Sequence, residues 1–145
     1  MMETDMSNLI LVRGLPGSGK STFAKTLNCI HYESDMFFLN SCGGYKYDGR
    51  LIGAAHDWCY AVTVKALRIG HTVAVSNTFT QLLELDRYLT IPYILDGVNI
   101  RIVEMQTQYE NIHNMPKDKL TAMASRWDKI PQEWVESGMS LTVVE

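Results

Sequence analysis

The chain has 145 residues, 46% of them hydrophobic and 20% charged, with a formal net charge of −3. That length suits one domain around one core, and no apolar run is long enough to serve as a membrane-spanning helix. The acidic balance argues against a broad nucleic-acid groove, though not against a basic patch over a site. Met1 to Asn8 lacks the apolar core of a signal peptide, and Cys29, Cys42 and Cys59 have no metal-ligand spacing. These features lead us to expect a cytoplasmic protein with free thiols.

In chain order, Leu9 to Arg13 is a short apolar run ending at Gly14, the pattern of a buried strand. A helix is expected over Ser21 to Asn28 and a second strand over Ile30 to Ser34. Met36 to Arg50, rich in glycine and aromatics, reads as a loop. Leu51, Ala55, Trp58, Val62, Ala66 and Ile69 recur at helical spacing and mark one face of a helix ending near Gly70. Thr72 to Ser76 reads as a third strand. Gln81 to Leu95 reads as a helix broken at Pro92, which lacks an amide donor, and Val98 to Glu104 as a fourth strand. Gln108 to Asn114 and Lys117 to Trp127 read as two helical pieces around Pro116. Leu141 to Val144 is a candidate edge strand.

Strands alternating with helices predict an α/β fold: a parallel sheet of four to five strands with helices on both faces. We expect a single domain over 1–145, with a flexible N-terminus at 1–8, a lid-like helical region at 105–129 and a tail at 130–145. Ligands of such sheets bind beyond the carboxyl ends of the strands. Gly14–Lys20, Asp35, Ser76–Asn77 and the segment after Glu104 should therefore border one crevice.

Gly14-Leu15-Pro16-Gly17-Ser18-Gly19-Lys20-Ser21 satisfies G-x-x-x-x-G-K-[ST] between a strand and a helix. Glycines let backbone amides close around phosphate oxygens. Lys20 is expected to neutralise the outer phosphates, Ser21 to offer its hydroxyl to Mg²⁺, and Thr22 to reach the α-phosphate. The motif predicts a P-loop that binds ATP with Mg²⁺; no N-K-x-D-type motif points to guanine. A kinase also needs a carboxylate beside the acceptor hydroxyl. Asp35 follows the second strand and is the best candidate. Asp48 and Asp57 are not tied to the crevice by any pattern.

Beyond the P-loop, S-D-M-F-F (Ser34 to Phe38), A-H-D-W (Ala55 to Trp58), V-S-N-T (Val75 to Thr78), N-I-H (Asn111 to His113) and S-R-W (Ser125 to Trp127) follow in order. Over roughly Leu9 to Trp134 the chain resembles the P-loop kinase domain of bacteriophage polynucleotide kinases. It is still more similar to the related domain of ubiquitin-ligase-binding proteins and many phage proteins. The resemblance implies Asp35 as general base, with ATP as donor. It implies a DNA hydroxyl as acceptor, either a 5′-hydroxyl end or the hydroxymethyl group of a modified pyrimidine such as 5-hydroxymethyluracil. The family's arginine three positions after the base is Phe38 here, which tilts the reading toward the base hydroxyl. The aspartate of its D-T-N motif is Asn77, which can orient a water but supplies no charge. His113 falls near the lid-arginine position, and Arg126, Lys117 and Lys119 are other candidates for that cation.

Phe37, Phe38, Tyr45, Lys46, Tyr47 and Arg50 combine rings and charges as base-stacking loops do; buried rings anchoring the loop are the other reading. His56 reads equally as an acceptor contact or a partly buried helix histidine. Two further functions fit the same residues: a kinase of a small nucleoside, nucleotide or sugar, and a non-catalytic ATP-binding interaction module.

Overall fold

The computed structural model describes residues 8–39, 44–106 and 117–145. Five strands form one sheet: β1 (Leu9–Arg13), β2 (Ile30–Tyr32), β3 (Val73–Asn77), β4 (Ile100–Met105) and β5 (Ser140–Val144). Their spatial order is β2-β3-β1-β4-β5 and every pairing is parallel. The central strands β1 and β3 are buried at every residue, as near-continuous apolar runs in a parallel sheet should be.

The side-chain alternation of the strands divides the core in two. Ile10, Val12, Ala74, Val103 and Met105 pack on one face with Phe23, Ala24 and Leu27 of and just after α1 (Lys20–Thr26). Leu9, Leu11, Val73, Val75 and Ile102 pack on the other with α2 (Ile52–Ile69) and α3 (Leu82–Leu89). Helices therefore cover both faces, as the sequence pattern requires.

Three local readings change. Within Met36 to Arg50, part is helical: a 3-10 turn spans Ser34–Phe38 and another Gly49–Leu51. The buried face of α2 is Ala55, Cys59, Thr63, Ala66 and Leu67, whereas Leu51 and Ile69 are exposed. Ala55, Cys59 and Ala66 are small and let the helix approach the sheet closely, and the larger Trp58 packs at the margin of that contact. The helix expected over Lys117 to Trp127 is α4 (Lys117–Ser125), and a further helix, α5 (Gln132–Glu136), lies in a stretch that periodicity left unread. The helix expected over Gln108 to Asn114 lies outside the described residues. Gly70 (φ 104) ends α2, and the amide of His71 returns to the carbonyl of Ala66 at 3.0 Å.

Candidate active site

β1 lies between β3 and β4, so in register Arg13 meets Asn77 on one side and Glu104 on the other. This is where strand order reverses, and the crevice of a parallel sheet opens there. Beyond it, Gly17 (φ 85) and Gly19 (φ 83) take left-handed conformations that side chains resist. A Cβ on Gly14 would collide with Ser18 Oγ and stand 3.0 Å from Met105 Cβ. Ser18 is 1% exposed, and its hydroxyl has no hydrogen-bond partner among the described residues. An unpaired buried hydroxyl costs about 1–3 kcal/mol. A ligand oxygen in the loop would satisfy it, so this cradle fits a phosphate chain. Pro16 and Leu15 are partly exposed in the turn, and Thr22 is exposed on the first turn of α1.

Lys20 faces two carboxylates, Glu33 and Asp35. Burial pushes its ammonium below the usual lysine range, and those two negative charges partly oppose the shift. Glu33 stands just past β2. Burial alone would raise its carboxyl, but hydrogen bonds from His31, Ser21 and Ser76 outweigh that and hold it at about 2. Ser76 Oγ donates to Glu33 Oε1 at 3.1 Å, and His31 Nε2 lies 2.6 Å from Ser76 Oγ and 3.2 Å from Glu33 Oε1. With the Ser76 proton on Glu33, His31 Nε2–H is the donor. The sequence reading passed over Glu33. Its one signal was position, two residues before Asp35 at the end of a strand that reaches the crevice.

Asp35 is exposed on the 3-10 turn, and its Oδ1 accepts the Tyr45 hydroxyl proton at 3.0 Å. Burial and the neighbouring Asp35 push the Tyr45 phenol up to about 12, which keeps it protonated as a donor. Asn77 fixes the turn from β3. Its Oδ1 accepts the Ser34 amide at 2.9 Å, while Nδ2 points at Cys59 Sγ, 3.9 Å away. Both ends of this 7% exposed carboxamide are thus engaged within the protein. His56 Nδ1 lies 2.8 Å from Ser34 Oγ, so α2 braces the same turn.

The aromatic loop divides. Phe38 is 7% exposed, ringed by Phe37, Tyr45 and Tyr47 at centroid distances of 5.1–6.2 Å. Tyr45 and Tyr47 keep 53% and 54% of their surface exposed. Arg50 is held in a surface pair with Asp48 at 2.8 Å. The structure thus gathers Lys20, Ser21, Asp35, Asn77 and His56, and leaves Phe38 inside and Arg50 turned to Asp48.

On the other side of the P-loop, Arg13 is fully buried. It donates to the Phe79 carbonyl at 2.7 and 3.0 Å, to the Thr80 carbonyl at 3.2 Å and to Glu104 at 3.0 Å. Phe79 has φ 46, a left-handed conformation that costs energy for a bulky residue. Its carbonyl is met there by two guanidinium nitrogens. The ring of Trp127 covers the guanidinium at 3.7 Å. Next to it, Asp128 donates its amide to Thr80 and accepts the Leu82 amide at 3.0 Å, capping α3. This clasp fastens Trp127 and Asp128, just past α4, to the core. Arg126 is exposed beside it, and His113 lies outside the described residues. A cavity of about 460 Å³ opens between Leu15, Met105, Gln106, Trp127 and Leu141. A smaller one of about 180 Å³ lies by His56, Asn77, Glu84, Arg87 and Tyr88.

A family model described as AAA domain matches residues 9–127. The chain belongs to that family. Human NEDD4-binding protein 2 is 29% identical over 137 residues, covering 83% of this chain; the chain spans only 8% of that protein. Among solved structures, a putative kinase from Chloroflexus aurantiacus has a TM-score of 0.65 at 17% identity, covering 97% of this chain and 88% of that one. A gluconokinase from Sinorhizobium meliloti gives 0.59 at 17% identity, over 97% and 85%. A chain of the Pnkp1/Rnl/Hen1 RNA repair complex gives 0.56 at 19% identity, over 93% and 43%. At these identities the likeness is one of fold, and the fold is that of the P-loop kinases. No helix among the described residues is long and apolar enough to cross a membrane.

Proposed function

We propose that this domain is an ATP-dependent phosphotransferase whose acceptor is an alcohol, and that the alcohol is a hydroxyl of DNA. The observation that carries the reaction class is the Tyr45 hydroxyl on Asp35 at 3.0 Å. A carboxylate beside the P-loop lysine already receives an O–H proton, the contact a general base makes with its acceptor. The loop amides and Ser18 hold the phosphates, Lys20 neutralises their charge, and Ser21 would hold Mg²⁺. The ion supplies charge stabilisation on the phosphates. Asp35 takes the proton from the acceptor oxygen as that oxygen bonds to the γ-phosphorus and the bond to the ADP oxygen breaks. The cavity beside Leu15 and Trp127 has the size and apolar lining for a nucleotide base. Arg126, exposed at the lid's end, and His113 are the candidate cations for the transferring group.

Tyr45 and Tyr47, half exposed around Asp35, support a nucleic-acid acceptor, because aromatic faces stack on unpaired bases. The resemblance to polynucleotide kinases supports the same choice. The buried ring of Phe38, standing where those kinases carry a phosphate-binding arginine, favours a modified-base hydroxyl over a 5′ end. One observation favours the small-molecule reading: the small cavity of about 180 Å³ by His56 and Arg87 suits a nucleoside or sugar better than a strand.

Acceptor profiling by mass spectrometry with ATP and Mg²⁺ separates these outcomes. The panel holds a 5′-hydroxyl oligonucleotide, a 5′-blocked oligonucleotide carrying 5-hydroxymethyluracil, free nucleosides and sugars. We expect phosphate on the modified base. Transfer to nucleosides or sugars alone makes this a small-molecule kinase, and ATP binding without transfer makes it a non-catalytic module. The cradle has its own test. Gly14→Ala forces Ser18 aside, and we expect calorimetry to show ADP affinity reduced by about tenfold or more, equivalent to ~1.4 kcal/mol. Unchanged affinity would place the phosphates elsewhere.

A further inference from the structure

The P-loop serine raises a question of proton accounting. A hydroxyl that gives its lone pair to a cation must send its proton to some acceptor. P-loop proteins generally pair that hydroxyl with an aspartate at the end of a neighbouring strand. Here the end of β3, the strand beside β1, carries Ser76 and Asn77. Asn77 is occupied by the Ser34 amide, and Ser76 spends its own proton on Glu33.

We propose that Glu33, from the end of β2, is the carboxylate of the metal–nucleotide site, accepting the Ser21 proton and holding a metal-bound water. The inference rests on the ATP–Mg²⁺ reading above and adds the residue that reading lacks. Four observations support it. Glu33 accepts the Ser76 hydroxyl proton at 3.1 Å, and Ser76 pairs in register with Val12 at the end of β1, so the carboxylate stands at the sheet edge from which the motif springs, where Lys20 feels its charge. Ser76 and His31 anchor one oxygen, Oε1, so the group is oriented rather than mobile. Its side chain keeps 22% of its surface exposed, which leaves access for a water. The unpaired, buried Ser18 hydroxyl in the same loop independently marks the cradle as built for a ligand. Asp35 does not serve equally, because its carboxylate faces the Tyr45 hydroxyl on the acceptor side.

The test is ADP binding to Glu33→Gln and Glu33→Asp, each measured with Mg²⁺ and with EDTA, with electron paramagnetic resonance of Mn²⁺–ADP as a direct view of the metal. Wild type should bind ADP more tightly with Mg²⁺. In Glu33→Gln that gain should shrink about 10–100-fold, with metal-free affinity unchanged and the Mn²⁺ spectrum altered. Glu33→Asp should be intermediate, and the metal-free affinity shows that both variants are folded. A full Mg²⁺ gain in Glu33→Gln overturns the assignment while leaving the ATP reading intact. Equal weakening with and without metal also overturns it, making Glu33 a partner of Lys20 alone. Wild type that binds no ADP under either condition removes the ATP reading and this assignment together.

Discussion

Asp35→Asn is expected to lower phosphoryl transfer by about 10²–10⁴-fold while leaving ADP affinity close to wild type. The asparagine is nearly the same shape and can still accept a hydrogen bond from Tyr45, so the 3-10 turn should stand. What it loses is the ability to take a proton. The turn is held independently of the Asp35 side chain by the Ser34 amide on Asn77 and by His56 against Ser34 Oγ. Lys20 and the loop glycines are untouched, so the nucleotide should bind as before. The measurement is single-turnover transfer to the acceptor identified by profiling, beside calorimetric ADP titration. Near-normal transfer would remove Asp35 from the mechanism. A parallel loss of ADP affinity would mean that the substitution had disturbed the phosphate loop.

Arg13→Met should lower stability by about 3–5 kcal/mol, the range for removing one partner of a buried ion pair. The side chain is fully buried and joins four things at once: Glu104 on β4, the carbonyls of Phe79 and Thr80, and the face of Trp127. Methionine fills much of the volume, so the loss is chiefly electrostatic. It leaves a buried carboxylate without its cation and the Phe79 carbonyl without its two donors, while the Thr80 carbonyl keeps the Asp128 amide. For a chain of this size the thermal midpoint should fall on the order of 10 °C. Removing Glu104 as well, in Arg13→Met/Glu104→Leu, should recover part of the loss, because no uncompensated charge then remains. Arg50→Ala serves as control, since the Arg50–Asp48 pair lies at the surface and should leave the midpoint unchanged. An Arg13→Met protein as stable as wild type would show that the clasp contributes little.

Local pattern was sufficient wherever one face or one motif decides the outcome. The apolar runs at Leu9–Arg13 and Val73–Asn77 cannot be satisfied except as central parallel strands. The glycine spacing of the P-loop encodes its own backbone, and the aspartate after the second strand lands where sheet topology sends it. Periodicity misplaced the buried stripe of α2 because side-chain size, not hydrophobicity alone, sets how closely a helix approaches a sheet. It could not tell that Phe38 would turn inward while Tyr45 turned toward Asp35, since both are aromatic residues of one loop.

The sequence by itself determined the α/β class, the phosphate loop and the carboxylate beside it, because each depends on residues close together in the chain. Only the tertiary structure decided the rest of the site, because those contacts join residues distant in the chain. Arg13 meets Phe79 and Glu104, and Glu33 meets Ser76. Asn77, read as able to orient a water, accepts the Ser34 amide and points its Nδ2 at Cys59. Such pairings arise from strand order and register, which place β2, β3, β1 and β4 side by side at one edge. No local spacing records which ends will meet there.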